Sequence, residues 1–177
     1  TTEDITSLFA GVYTVTITDA AGCTATAYYN VGEPGQFQIA AQLSNTSGGY
    51  NVSCAAAMDG SIDASVSGGS GAYTYFWSGP DGFTSINLDL TGLAAGEYHL
   101  TVHDANGCNA QASFTLAAPA PLQIGLMATA QPSCNGGEDG SIHAVISGGT
   151  APYLASWSSP TGPLGIGTDL SGVGAGI

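Results

Sequence analysis

One stretch of the sequence, residues 96–116, occurs twice in this chain, and its repetition constrains the fold more than any other feature. It alternates apolar and polar residues on either side of Asn106-Gly107. This pattern is typical of an antiparallel β-hairpin, because both turn residues tolerate positive φ. The earlier copy spans residues 11–31, 85 residues upstream. We therefore interpret the chain as a repeat protein built from β-strands.

The repeat divides the chain into three modules. Residues 36–118 form a complete module, residues 1–33 the C-terminal part of a first module, and residues 119–177 the N-terminal two-thirds of a third. A full module holds about six or seven short alternating segments with turns every 8–12 residues or so, which predicts an all-β fold of tandem immunoglobulin-like antiparallel β-sandwiches. The chain starts without Met in mid-repeat and stops at Ile177 before a third hairpin. We therefore expect it to be a piece of a longer polypeptide.

The charge balance excludes several classes of partner. The chain has no Lys or Arg and 13 acidic residues, a formal charge of −13. Nucleic acids and anionic membrane surfaces both attract basic residues, so we expect neither as a partner. No run of about 18 apolar residues occurs, which predicts that the chain does not insert into a membrane.

Aromatic residues recur at matching positions of the modules. Tyr98 and its copy Tyr13 lie on the apolar face of the hairpin, and Trp77 and its copy Trp157 lie on an aromatic strand. Shared strand parity predicts that these four residues have a structural role in the core. Phe76 and Phe83 are the aromatic residues expected at the surface. Neither a nucleophile–base pair nor a phosphate loop stands out, so we do not expect an enzyme.

The ordered set of motifs resembles the SprB-type repeat of large surface adhesins from gliding Bacteroidetes-type bacteria. The set begins with Cys54, Asp59-Gly60-Ser61-Ile62 and Ser67-Gly68-Gly69, and it closes with Asp104-Ala105-Asn106-Gly107-Cys108. The resemblance implies an extracellular, cell-surface fibre of many modules used in adhesion and gliding motility, with no catalytic residues.

The four cysteines, Cys23, Cys54, Cys108 and Cys134, lie at two repeating positions. In a secreted protein they are candidates for disulfides. Because the two cysteine positions recur in each module, the repeat predicts a bond between Cys54 and Cys108 inside the complete module. Cys23 and Cys134 would then pair with cysteines outside residues 1–177. The alternatives join each early cysteine to the hairpin cysteine of the following module, or leave free thiols. An objection to the first pairing is that Cys54 and Cys108 can lie at opposite ends of a sandwich.

Acidic residues open turns, and they are the basis of a weaker metal hypothesis. Asp59, Asp104 and Asp139 begin turn sequences, which Asx-turn chemistry explains. Calcium between modules would also use such oxygens, so we keep these three residues as weak calcium candidates and expect no other metal or cofactor. The histidines His99, His103 and His143 are interpreted as surface residues, although His99 and His103 share one strand face.

Three hypotheses of function follow. The first is a structural repeat segment of a secreted filamentous adhesin, acting as a stalk in adhesion or gliding. The second is a subunit of an extracellular filament or sheath, in which the hairpin of one copy completes the third module of the next by strand donation. The third is a carbohydrate-binding module. The expected partners are neighbouring modules or copies of the same protein, with a surface polysaccharide or substratum as a further partner.

Overall fold

A computed structural model describes residues 4–160 and 162–174 of the chain. Within these residues the chain is all-β, as predicted, with fourteen strands and only two short 3₁₀ turns, at Ser47–Gly49 and Pro80–Gly82. Every strand pairing is antiparallel. No helix in this part of the chain is long and apolar enough to cross a membrane. The predicted end of the third module at Ile177 lies outside the described residues.

The first predicted hairpin forms from β1 (Gly11–Thr18) and β2 (Thr24–Val31). The strands pair over their full length, from Gly11 opposite Val31 to Thr18 opposite Thr24. The turn closes with a 2.9 Å bond from the Asp19 amide to the Cys23 carbonyl. The sequence also predicts a short strand and a turn over residues 3–11. This prediction is wrong for residues 4–10, which contain no strand.

The central module is a two-sheet sandwich of seven strands. One sheet has the order β3-β4-β7 and the other β6-β5-β8-β9. The second predicted hairpin is β8–β9, with Gly96 opposite Leu116 and His103 opposite Asn109. The strands are β3 (Gly35–Leu43), β4 (Gly60–Gly69), β5 (Thr74–Ser78), β6 (Thr84–Ser85), β7 (Leu90–Leu93), β8 (Gly96–His103) and β9 (Asn109–Leu116).

The core of the central module lies between these two sheets. Its centre is Trp77, which is fully buried, and the inward residues of the hairpin pack around it. Period-two alternation places every second residue of β8 on this face. The fully or nearly fully buried side chains are Ile62, Ala64, Trp77, Leu90, Leu93, Tyr98, Leu100, Val102 and Leu116.

Among the described residues, the third module repeats most of this plan but has no counterpart of the hairpin β8–β9. It contains β10 (Gln123–Ala130), β11 (Gly140–Ser147), β12 (Ser156–Ser159), β13 (Gly162–Ile166) and β14 (Asp169–Val173). The sheet β10-β11-β14 copies β3-β4-β7, and the pair β12-β13 copies β5-β6. Among the described residues, β12 has no partner on the edge that β8 occupies on β5.

A glycine fixes the end of β4 against the start of β3. Gly68 has φ of +83°, and a Cβ there would lie 2.0 Å from the Gln36 carbonyl oxygen. Its copy Gly148 has φ of +69° and the same 2.0 Å clearance to the Pro121 carbonyl oxygen. Because no side chain fits such a gap, both modules require glycine at this crossing.

Candidate functional site

The two tryptophans are anchored in the same way, as their matching positions predict. Trp77 Nε1 donates to the Asn87 carbonyl at 2.9 Å, and Trp157 Nε1 donates to the Gly167 carbonyl at 2.8 Å. The ring of Trp77 also packs on Phe114, with 5.9 Å between centroids. A buried indole needs such an acceptor, so the bond fixes the Trp77 ring in the core, and the matching bond holds the ring of the partly buried Trp157.

The two hairpin tyrosines also share one contact. The Tyr98 hydroxyl donates to the Ala94 carbonyl at 3.0 Å, and the Tyr13 hydroxyl donates to the Phe9 carbonyl at 2.9 Å. Burial raises the pKa of Tyr98, although its bond to Ala94 acts in the opposite direction. A tyrosine bonded to the backbone four residues upstream, at the start of a strand, is the tyrosine corner of immunoglobulin-like sandwiches.

The three calcium candidates are turn-forming acceptors. Asp104 Oδ1 accepts from the Asn106 and Cys108 amides, each at 2.9 Å, and its Oδ2 accepts from the amide and hydroxyl of Ser70 at 3.1 and 2.9 Å. Asp59 Oδ1 accepts a hydrogen bond from the backbone amide of Ser53 at 3.0 Å, and Asp139 Oδ1 accepts one from the backbone amide of Ser133 at 2.8 Å.

These hydrogen bonds lower the pKa of the three turn carboxylates. Burial of Asp104 alone would raise its pKa, but the bonds from Ser70, Cys108 and Asn106 together hold the pKa below its ordinary value of 3.8. Bonds from Ser53 and Ser133 lower the pKa of Asp59 and Asp139. Among residues 4–160 and 162–174, no three His, Cys, Asp or Glu side chains come together. A calcium site remains a prediction of the sequence.

The cysteine pairing expected inside the module needs correction. All four cysteines are exposed free thiols. Cys108 lies just before β9. The backbone amide of Asn51 donates to the carbonyl of Ala117, just beyond the other end of β9. The nine residue steps from Cys108 to Ala117 separate those ends by about 30 Å, and the three residue steps from Asn51 to Cys54 span at most about 11 Å. The pair is thus well beyond the roughly 7 Å limit of a disulfide.

The histidines lie on the surface, as interpreted from the sequence. His99 Nδ1 bonds Ser113 Oγ at 2.8 Å across the hairpin, and the exposed His103 lies opposite Asn109. His143 Nδ1 lies 2.7 Å from Asp169 Oδ1. This bond lowers the pKa of Asp169. The pair was missed because β11 and β14 become neighbours only in the folded sheet.

The two aromatic residues expected at the surface do not form one platform. Phe76 is half-exposed, whereas Phe83 packs edge-on against Tyr98 with 5.4 Å between ring centroids. Phe83 therefore belongs to the periphery of the core, and its expected exposure is corrected. A carbohydrate-binding module stays a hypothesis of the sequence.

The junction between the central and third modules was not foreseen from the sequence. A groove is lined by Cys54 from the central module and by Leu122, Thr150 and Tyr153 from the third. A Cβ on Gly48 would lie 3.2 Å from Thr150 Cγ2. These contacts bring the early cysteine of one module beside the double-glycine turn of the next.

Asn51 closes the other side of this junction, and sequence reasoning missed it too. Its Oδ1 accepts from the Ala117 amide at 2.8 Å, and its Nδ2 donates to the Ser44 carbonyl at 2.7 Å. The only indication in the sequence was the position of Asn51 in a polar loop. Such a position does not predict a hydrogen bond to a residue 66 positions away.

The comparison with protein families agrees with this structural repeat. The SprB repeat family model matches residues 50–82 and residues 127–162. Both segments include the cysteine loop and the strand that carries the tryptophan. No curated protein matches the chain. The two in-phase matches, together with the repeated Trp and Tyr contacts, show that the chain carries SprB-type repeats.

Proposed function

We propose that this chain is a structural segment of a secreted, cell-surface filamentous adhesin and acts as a stalk in adhesion or gliding motility. The observation that carries the proposal is the pair of SprB repeat matches, which lie in phase on successive sandwich modules. Its partners would be neighbouring modules and, at the tip of the fibre, a surface polysaccharide or substratum. We propose a mechanical role rather than catalysis.

The path of the chain through the central module supports a load-bearing role. The chain enters at Gly35, which pairs with Gly69 beside the Asp104 turn, and it leaves at Ala117 beside Asn51, at the opposite end of the module. The first strand β3 contacts the last strand β9. Tension on the two ends would shear these strands along their length, so many contacts must break together.

Single-molecule stretching of the 177-residue chain tests the stalk role. Unfolding of residues 36–118 should release roughly 270 Å of contour length, from about 3.6 Å per residue less the folded length. The release should occur in one abrupt step at high force, because the sheared strands yield cooperatively. Gradual extension at low force would contradict a load-bearing function.

Labelling of cells tests the proposed location. Antibodies raised against residues 36–118 should label intact cells of the source bacterium, and their Fab fragments should reduce attachment or gliding. Fab fragments against an internal protein provide the control. Labelling that requires permeabilised cells would overturn the surface location, and unchanged attachment and movement would overturn the adhesive role.

A further inference from the structure

One loop of the central module is longer than its copy in the third module. Residues 44–53 connect Leu43 to Cys54, whereas residues 129–133 make the corresponding connection in the third module, so the first loop is five residues longer. We call residues 44–53 the junction loop. Its additional residues include the 3₁₀ turn Ser47–Gly49. The junction loop is therefore a feature that the shared fold of the two modules does not require.

Hydrogen bonds within the central module fix the shape of the junction loop. Ser44 Oγ donates to the Asn51 carbonyl at 2.6 Å and accepts from the Ser61 amide at 2.9 Å, which ties both arms of the loop to β4. Thr46 closes the turn, because its amide and its hydroxyl both donate to the Tyr50 carbonyl, at 2.7 and 3.0 Å. The loop is therefore held in one conformation by its own module.

The junction loop also holds the chain where it leaves the central module. The Asn51 side chain accepts from the Ala117 amide at 2.8 Å, and the amides of Asn51 and Val52 donate to the Ala117 carbonyl at 2.8 and 3.3 Å. Two residues further on, Pro119 is buried. Because proline fixes its own φ near about −65° and Ala117 is bonded at both its amide and its carbonyl, this connection has little freedom to bend.

The tip of the junction loop lies against the third module. A Cβ on Gly48 would lie 3.2 Å from Thr150 Cγ2 and 3.3 Å from the Tyr50 ring. Further along the loop, Cys54 lines the same groove as Thr150 and Tyr153. The third module therefore meets the central module at the loop tip as well as through the peptide connection.

The shorter loop of the third module lacks the residues that make these contacts. When the two loops are aligned on their early cysteines, Gln131 and Pro132 stand at the positions of Asn51 and Val52. Pro132 has no amide hydrogen, so it cannot donate as Val52 does. The shorter loop also has no copy of Gly48. The contacts of the junction loop thus depend on its length and are not a general property of the fold.

We propose that the junction loop is a brace that holds the central and third modules at a fixed angle. Two modules joined by a chain segment alone are expected to move relative to each other. Here the connection is held at Ala117 and the loop tip meets Thr150, so a swing at the connection breaks or compresses one of these contacts. This inference concerns one joint of the chain, and it is independent of the stalk function proposed above.

The distance between spin labels on the two modules reports the stiffness of their joint. The labels are placed at Gln111→Cys on β9 and Val145→Cys on β11, which are exposed strand positions, in a chain whose four native cysteines are replaced by serine. In double electron–electron resonance, the chain with an intact brace should give one narrow distance distribution. A broad distribution in this chain would overturn the proposal.

Deletion of residues 45–49 gives the junction loop the length of its copy and removes its tip from Thr150. It leaves Ser44 and Asn51, which hold the rest of the loop and the connection. Without the tip the modules should swing, so the distance distribution should at least double in width. A width unchanged by the deletion would show that the loop is no brace.

Two neighbouring glycines provide a matched pair of point variants. Gly48 and Gly49 have φ of +83° and +81°, so leucine strains the backbone to the same degree at both positions. Of the two, only Gly48 would bring its Cβ within 4 Å of other residues, Thr150 among them. Gly48→Leu should therefore force the loop tip from the third module and broaden the distance distribution, whereas Gly49→Leu should leave it narrow. Equal distributions for these two variants would contradict the brace.

Discussion

The two copies of the hairpin provide a direct test of what burial contributes to this fold. Leu100 is fully buried and lies opposite Trp77 across β5 and β8, whereas its copy Val15 is 54% exposed. Truncation of a buried leucine to alanine costs about 2–5 kcal/mol, and more where the site cannot collapse. Because the neighbouring Trp77 ring is fixed by its bond to Asn87, we expect Leu100→Ala to cost about 3 kcal/mol.

The same cost can be expressed as a thermal shift. Unfolding entropy of about 2.1 cal/mol/K per residue gives the central module roughly 0.17 kcal/mol/K, so a loss of about 3 kcal/mol lowers its Tm by about 17 °C. Val15→Ala removes two methyl groups that already contact water, in a separate hairpin. We expect it to shift the unfolding free energy of the central module by less than about 0.5 kcal/mol.

Urea unfolding monitored by tryptophan fluorescence measures both variants. Trp157→Phe leaves Trp77 as the single reporter of the central module, and it serves as the background for Leu100→Ala and Val15→Ala. Equal shifts for the two variants, or a loss below about 1 kcal/mol for Leu100→Ala, would refute the assignment of the β8 face to the core.

Two further predictions concern the turns. Because the pKa of Asp104 is lowered in the folded protein, its carboxylate should stabilise the fold above its unfolded pKa of about 4, and this stabilisation should disappear as pH falls through the lower folded pKa. Asp104→Asn should therefore reduce the loss of unfolding free energy between about pH 5 and pH 2, measured by denaturation. An unchanged pH dependence would contradict the stabilising role of Asp104. Gly68→Ala should lower the Tm of the central module far more than Gly107→Ala, since only Gly68 faces a carbonyl oxygen at 2.0 Å; equal melting shifts would contradict this.

Local pattern was enough to predict most of the strands and turns of this chain. Alternation over residues 96–116 and the Asn-Gly pair specify a hairpin, because side-chain period and turn chemistry are properties of adjacent residues. Matching positions of Trp77 and Trp157 likewise predicted a shared structural role. The repeat carried these predictions from one module to the next and gave the resemblance to the SprB family.

Contacts between distant segments were decided only by the tertiary structure. The sequence placed Cys54 and Cys108 in one module, but the sandwich puts them at opposite ends of β9, because a strand keeps its own ends apart. Nor does the pattern show that β11 brings His143 to Asp169, or that the junction buries Thr150 Oγ1 without a partner. The sequence by itself thus determined which strands and turns this chain forms and which residues are copies of each other. Only the folded arrangement determined which faces of those copies are covered, since burial depends on what packs against a strand and not on the strand alone.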